Sequence, residues 1–133
     1  GTPGEGGPEG EIMVMEIPGI RAPFEAAADL SAKQYCAMKI TASQKVSVCN
    51  VAGEISIGIL QNDPTQGQEA SVMLTGISNA VYGGTVAPGA SLTTNASGFL
   101  ITAAAGNKIM AVAIEAGAAN EIHPVILTSV GAA

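Results

Sequence analysis

The side chains able to do chemistry in this 133-residue chain are few: one histidine, two cysteines, eleven carboxylates and five basic groups. His123 stands in Glu121-Ile122-His123-Pro124-Val125, inside a β-prone run. An imidazole can ligate a metal or act as a base. A zinc site, however, needs three or four convergent ligands, and a hydrolytic base needs a nucleophile and an orienting partner. Neither has a signature here, so His123 is expected at the surface or at a strand edge. Glu115 interrupts Ala111-Val112-Ala113-Ile114 and precedes Ala116-Gly117-Ala118-Ala119. With no second carboxylate in a shared motif, it is expected to accept turn N–H groups or to pair across a subunit interface rather than to serve as a general base.

Asp63 and Glu69 flank a turn that lacks the alternating oxygen ligands and closing glutamate of a calcium loop. Gly83-Gly84 and the glycines of the first ten residues are not followed by the Lys and Ser/Thr of a phosphate loop. Lys33, Lys39, Lys45 and Lys108 are not set in a carrier-like tip motif. No catalytic residue, metal ligand or cofactor is predicted, and the chain reads as a non-enzyme. A net charge of −6 repels phosphate backbones and anionic headgroups, so neither nucleic acid nor membrane is an expected partner.

The cysteines pose a register question. If residues 35–41 and 45–50 form a hairpin about Ala42-Ser43-Gln44, apolar residues align when Ile40 faces Val46 and Met38 faces Val48. Cys36 then opposes Asn50 and Cys49 opposes Ala37, which points the thiols to opposite faces. The register one residue shorter sets Cys36 against Cys49 but also Ile40 against Lys45. Two reduced, small hydrophobic residues are the expectation.

The first ten residues are Gly, Pro, Glu and Thr only, a composition that cannot offset its own ordering entropy. They lack the positive flank and apolar centre of a signal peptide, and no run approaches the roughly 20 apolar residues of a membrane span, so a soluble, unexported protein is expected. Ile12-Met13-Val14-Met15-Glu16-Ile17 is a short β-prone run closed by Pro18-Gly19. Residues 23–34, PFEAAADLSAKQ, read either as one or two helical turns or as an extended crossing. From Tyr35 onward, short strand-like runs recur between Gly, Asn, Asp and Pro, the spacing of an all-β barrel or sandwich. Strands are predicted near 35–41, 45–50, 55–60, 71–77, 83–87, 91–94, 99–102, 109–115 and 122–128. The architecture is therefore an all-β fold: an extended N-terminal arm over 1–34 and a compact small β-barrel of short hairpins over 35–133. With two Phe, two Tyr and no Trp, its core must be built from small and β-branched side chains, which makes association with other chains attractive.

One ordered series of segments carries a resemblance. Gly58-Ile59-Leu60-Gln61-Asn62-Asp63-Pro64, Gly67-Gln68-Glu69-Ala70-Ser71-Val72, Val86-Ala87-Pro88-Gly89-Ala90-Ser91-Leu92-Thr93 and Ala111-Val112-Ala113-Ile114-Glu115-Ala116-Gly117-Ala118-Ala119 resemble the small capsid decoration, or cement, proteins of tailed bacteriophages. The likeness spans about residues 35–128 and departs from the family pattern near Ser91 and Asn95, where more charge is usual. It implies a compact β-barrel on the outer surface of an expanded phage head. Such a protein is made in the host cytoplasm, associates as a homotrimer and bridges major capsid protein subunits. The residues themselves suggest how: a flexible start and a β-prone run suit strand addition to a partner, so Ile12, Met13, Val14, Met15, Ile17 and Phe24 are the expected capsid-binding residues. A carbohydrate- or receptor-binding β module is the alternative, although the aromatics such sites use are scarce.

Overall fold

The computed structural model describes residues 17–128. Eleven strands follow in order: β1 (Ile17–Pro18), β2 (Arg21–Ala26), β3 (Ala37–Ala42), β4 (Lys45–Val48), β5 (Gly58–Leu60), β6 (Glu69–Met73), β7 (Gly76–Val81), β8 (Ser91–Thr94), β9 (Leu100–Thr102), β10 (Ala111–Ala113) and β11 (Ile122–Leu127). Strands β2-β4-β3-β5-β6 form a closed barrel, and β1-β7-β11-β10-β8-β9 form a six-stranded sheet beside it. An isolated parallel bridge from Tyr82 to Leu100 draws the two sides of that sheet together. The all-β barrel expected from sequence is present, with a second layered core that the spacing of the turns did not disclose.

Two clusters of buried side chains share one wall. Met38, Leu60 and Val72 point into the barrel, where they meet Ala26, Leu30, Cys36, Val46 and Ala70. Their neighbours Ala37, Ile59 and Met73 point the other way, into a cluster with Tyr82, Leu92, Leu100, Ala111, Val125 and Leu127 of the sheet. Alternation along β3, β5 and β6 thus feeds both cores. The wall is buried on both faces, which explains why all of Gly58-Ile59-Leu60 is buried and why Ser71–Ile77 alternates imperfectly in sequence.

The predicted β3–β4 register holds: Met38 pairs with Val48 and Ile40 with Val46, with an irregularity between Ile40 and Ala42. Cys36 lies in the barrel cluster and Cys49 in the sheet cluster, both free. Asparagines organise two of the turns. Asn62 clamps the β5–β6 hairpin, its amide donating to the Glu69 carbonyl (2.9 Å) and its side-chain oxygen accepting the Ser71 N–H (3.0 Å). Asn95 accepts the N–H groups of Ser97 (2.8 Å) and Phe99 (3.0 Å).

Four expectations change. Of the two readings of residues 23–34, the extended one holds, and they contain no helix. Arg21–Ala26 is strand β2, which closes the barrel by pairing antiparallel with β6 and parallel with β4. A short Ala-rich piece gains little from an isolated turn of helix, whereas Ala22, Phe24 and Ala26 fall on one side of a strand and Arg21, Pro23 and Glu25 on the exposed side. Residues 27–34 follow as bends and turns, with Asp29 accepting the Ser31 N–H (3.0 Å) and Leu30 buried in the barrel. The segment assigned to the arm from Arg21 onward is thus woven into the barrel.

The predicted strand at 71–77 is two strands. Its break at Leu74-Thr75 is a crossing point: the Ile20 carbonyl accepts the Leu74 N–H (2.7 Å), and Thr75 Oγ1 accepts the Ile20 N–H (3.0 Å). A Cβ on Gly19 would lie 2.3 Å from the Thr75 carbonyl oxygen, so only glycine permits the approach. Residues 83–87 make one bridge, Val86 to Gly117, in place of a strand. Residues 55–60 become a strand only from Gly58, and Ile55, Ile57 and Ile59 share no common face. Ile55 is exposed, while Ile57 packs on the barrel cluster and Ile59 belongs to the other.

Two outcomes are expected. Gly58 carries φ +158 and its added Cβ would stand 2.0 Å from the Met73 carbonyl oxygen, so Gly58→Ala should destabilise the fold by about 2–3 kcal/mol, the usual cost of overpacking, in urea unfolding. Burial pushes both thiols up to about 11, helped at Cys49 by the charge of Glu54. A thiol reagent at neutral pH should therefore label the native protein hardly at all and label two sites once it is unfolded.

Candidate functional site

Three features stand out from the scaffold. The first is polar. The β10–β11 connection carries Glu115 at one end and Glu121 at the other, and His123 follows in β11. The imidazole contacts Glu115 Oε2 through Nδ1 and Glu121 Oε1 through Nε2, the latter at 2.9 Å. Beneath it lies Tyr82, with ring centroids 4.9 Å apart, whose hydroxyl donates to the Glu115 carbonyl (2.9 Å). Gly117 is held against both rings, for a Cβ there would lie 2.4 Å from His123 and 2.6 Å from Tyr82. Both ring nitrogens face carboxylate oxygens, and both can donate only when the ring is an imidazolium.

The hydrogen bonds from Glu121 and then Glu115 accordingly raise the His123 pKa above its ordinary 6.5. The His123 hydrogen bond and the Ala118 N–H lower that of Glu121 below 4.5. Burial, aided by the charge of Glu115, raises that of Tyr82. The cluster holds no nucleophile; it latches a loop to a strand. His123 sits half-buried on the core-facing side of β11 rather than at the surface or a strand edge, and Glu115 pairs within its own chain, with Glu121 taking the turn N–H of Ala118. The sequence signal was Glu121 two residues before His123, which alternation places on one side. Among the described residues no group of three or more His, Cys, Asp or Glu is arranged to hold a metal ion.

The second feature is an apolar cleft of about 450 Å³ where the barrel meets the sheet. Phe24, Ile40, Ile57 and Leu74 line its barrel side and Met110 and Leu127 its sheet side, with the hydroxyls of Ser56, Thr75 and Thr128 as its polar side-chain atoms. No charged side chain is among them. The third is the outer face of the sheet. Alternation puts Ile77, Asn79 and Val81 of β7 opposite Ile126, Pro124 and Ile122 of β11, and Val112 of β10 pairs with Ile126. Ile122 and Ile126 are exposed, and no charge stands among these seven positions.

Of the residues expected to bind a partner, Ile12, Met13, Val14 and Met15 lie outside the described residues. Ile17 pairs with Ile77 at the sheet edge in β1. Phe24 lies half-buried in the cleft. The two are joined through the Ile20–Thr75 crossing, since Thr75 and Leu74 also line the cleft. None of the chain's four aromatic residues is exposed: Tyr82 is buried, and Phe24, Tyr35 and Phe99 are partly so.

The latch makes stability depend on pH. A raised His123 pKa stabilises the fold below its unfolded value and loses that contribution as pH rises through the higher folded value. The lowered Glu121 pKa contributes above its unfolded value and is lost as pH falls through the lower folded one. Thermal unfolding should therefore be most resistant between these two ranges, and His123→Gln should abolish the decline on the alkaline side. A midpoint for the variant that still falls as the wild type's does between pH 6 and 9, on the order of the ordinary imidazole range, contradicts this account.

The comparisons with known proteins agree with this architecture. No curated protein matches the chain. Among solved structures, the N base of the head fiber gp8.5 of bacteriophage phi29 has the same fold, with a TM-score of 0.64 and 13% identity over 82% of this chain and 93% of that one. A family model described as phage cement protein matches residues 16–128. That match takes in every strand from β1 to β11, barrel, sheet and latch together, and by it the chain belongs to the phage cement protein family.

Proposed function

We propose that this chain decorates the outer surface of an expanded phage head and stabilises it by bridging major capsid protein subunits. The observation that carries the reading is the family match across the whole described fold. The sheet edge supports it. Even-numbered residues of β7 face β11, where Tyr82 N–H bonds the Glu121 carbonyl (2.8 Å), while the Val81 N–H is already taken by the Tyr35 carbonyl (3.1 Å). Ile12, Met13, Val14 and Met15 precede β1 at this edge, and in this reading they are the part that pairs with a neighbour.

In this reading the arm adds a strand to a capsid partner, main-chain hydrogen bonds supplying affinity and alternate side chains supplying fit. Each buried Met or Ile contributes about 1.5–3 kcal/mol, set against about 1–2 kcal/mol per ordered residue. A single arm gains little, so three arms in a homotrimer at a threefold position give the grip. Ile17 and Phe24 mark the root of the arm, on the body of the protein. The carbohydrate-binding alternative has no exposed aromatic ring to work with.

Sedimentation with expanded, undecorated heads tests the proposal. Binding should saturate at multiples of three copies per threefold position. A protein lacking residues 1–16 should unfold at nearly the same temperature but remain in the supernatant; co-sedimentation of that truncation at wild-type stoichiometry would rule out the arm.

A further inference from the structure

The His123 ring is fixed in place, whereas its two carboxylate partners are not fixed equally. The imidazole packs on Tyr82, with ring centroids 4.9 Å apart, and against Gly117, where an added Cβ would stand 2.4 Å from the ring's Cδ2 and 2.5 Å from its Nε2. These contacts hold its orientation, with Nδ1 toward Glu115 and Nε2 toward Glu121. Glu121 Oε1 also accepts the Ala118 N–H (2.9 Å), which pins that carboxylate over its own turn. Among the described residues, the Glu115 carboxylate has the ring as its one hydrogen-bond partner. Exposure does not separate the two side chains, which are 51% exposed at Glu115 and 55% at Glu121. These two carboxylates are the charges that act on the ring. Tyr82 is the third titratable group against it, and burial keeps its hydroxyl protonated above the ordinary value of 10.

We propose that His123 is a switch with two settings: as an imidazolium it clasps both carboxylates, and as a neutral ring it keeps its proton on Nε2 for Glu121 and releases Glu115 to solvent. A neutral imidazole donates from one nitrogen and presents a lone pair at the other. With the proton on Nδ1, the Nε2 lone pair would face the pinned Glu121 oxygen, a standing repulsion. With the proton on Nε2, the Nδ1 lone pair faces Glu115, which relieves the repulsion by changing rotamer. The backbone stays where it is, because the Tyr82 hydroxyl holds the Glu115 carbonyl (2.9 Å) and Val86 and Gly117 exchange backbone bonds of 2.9 and 3.1 Å. In the clasped setting the charge of Glu115 is satisfied within its own chain. Released, it is an unpaired negative charge at the end of β10, open to a cationic side chain of a neighbour.

The test uses the free full chain and no phage shell, so its result is independent of the decoration reading. Nitrogen-15 NMR of the imidazole across about pH 5–9 should show Nδ1 losing its proton while Nε2 keeps it. Over the same transition the side-chain couplings of Glu115 should pass from a single rotamer to an average, and those of Glu121 should not change. The Ala118 amide should keep its exchange protection once the intrinsic pH dependence is removed. Glu121→Ala takes away the pinned partner, so its neutral ring should carry the proton on Nδ1 and keep Glu115 clasped. A neutral wild-type ring protonated on Nδ1 overturns the proposal, as does a Glu115 side chain that holds one rotamer throughout. So does a several-fold loss of Ala118 protection in step with the ring's titration, or a Glu121→Ala ring whose proton stays on Nε2.

Discussion

Three strands buried on both faces, β3, β5 and β6, are the constraint on which the rest of the structure depends. A chain with so few aromatic residues cannot fill one thick core. Placing Met38, Leu60 and Val72 on one side of a wall and Ala37, Ile59 and Met73 on the other makes two thin cores from the same backbone. Each is shallow enough for Val, Ile, Leu and Met to span. The arrangement raises the stakes on close backbone approach, because a wall shared by two cores has no free side toward which a misplaced atom can move. Gly58 against the Met73 carbonyl and Gly98 against Val48 are places where the wall or its neighbours admit no side chain at all.

The two layers are held together at a crossing. The chain passes from sheet to barrel at Gly19-Ile20 and back from barrel to sheet at Leu74-Thr75, and the two passages hydrogen-bond each other. Strands that change sheets at one corner fix the angle between the layers without a long linker. The same corner holds the root of the N-terminal segment, the half-buried Phe24 and the point where the C-terminal strand ends.

Much of this was legible in the amino-acid order. The β3–β4 register followed from aligning Ile40 with Val46, because slipping one residue would have buried Lys45. The turns at Asn62 and Asn95 were legible as Asn-Asp-Pro and as a four-residue run ending in Gly98, which has φ +81. What the sequence hid is also physical. Phe24-Glu25-Ala26 looks like the start of a helix until β6 is present to pair with it, since a strand's partner is chosen by the fold and not by the strand. The break at Thr75 depends on Ile20, 55 residues away, and no local pattern encodes it. The latch hid for a similar reason: Glu115 and His123 are eight residues apart, and only the return of the chain through Gly117 sets them face to face. The body of the protein could be read; its corner, where distant segments meet, could not.

The opposed cysteines have a consequence in cellular terms. A protein with free thiols normally risks cross-linking through them in oxidising surroundings. Here one thiol faces each core, neither is ionised near neutrality, and the wall between them keeps them from meeting. The fold therefore holds both thiols unpaired and protonated in its interior, so its covalent state does not change when its surroundings turn from reducing to oxidising.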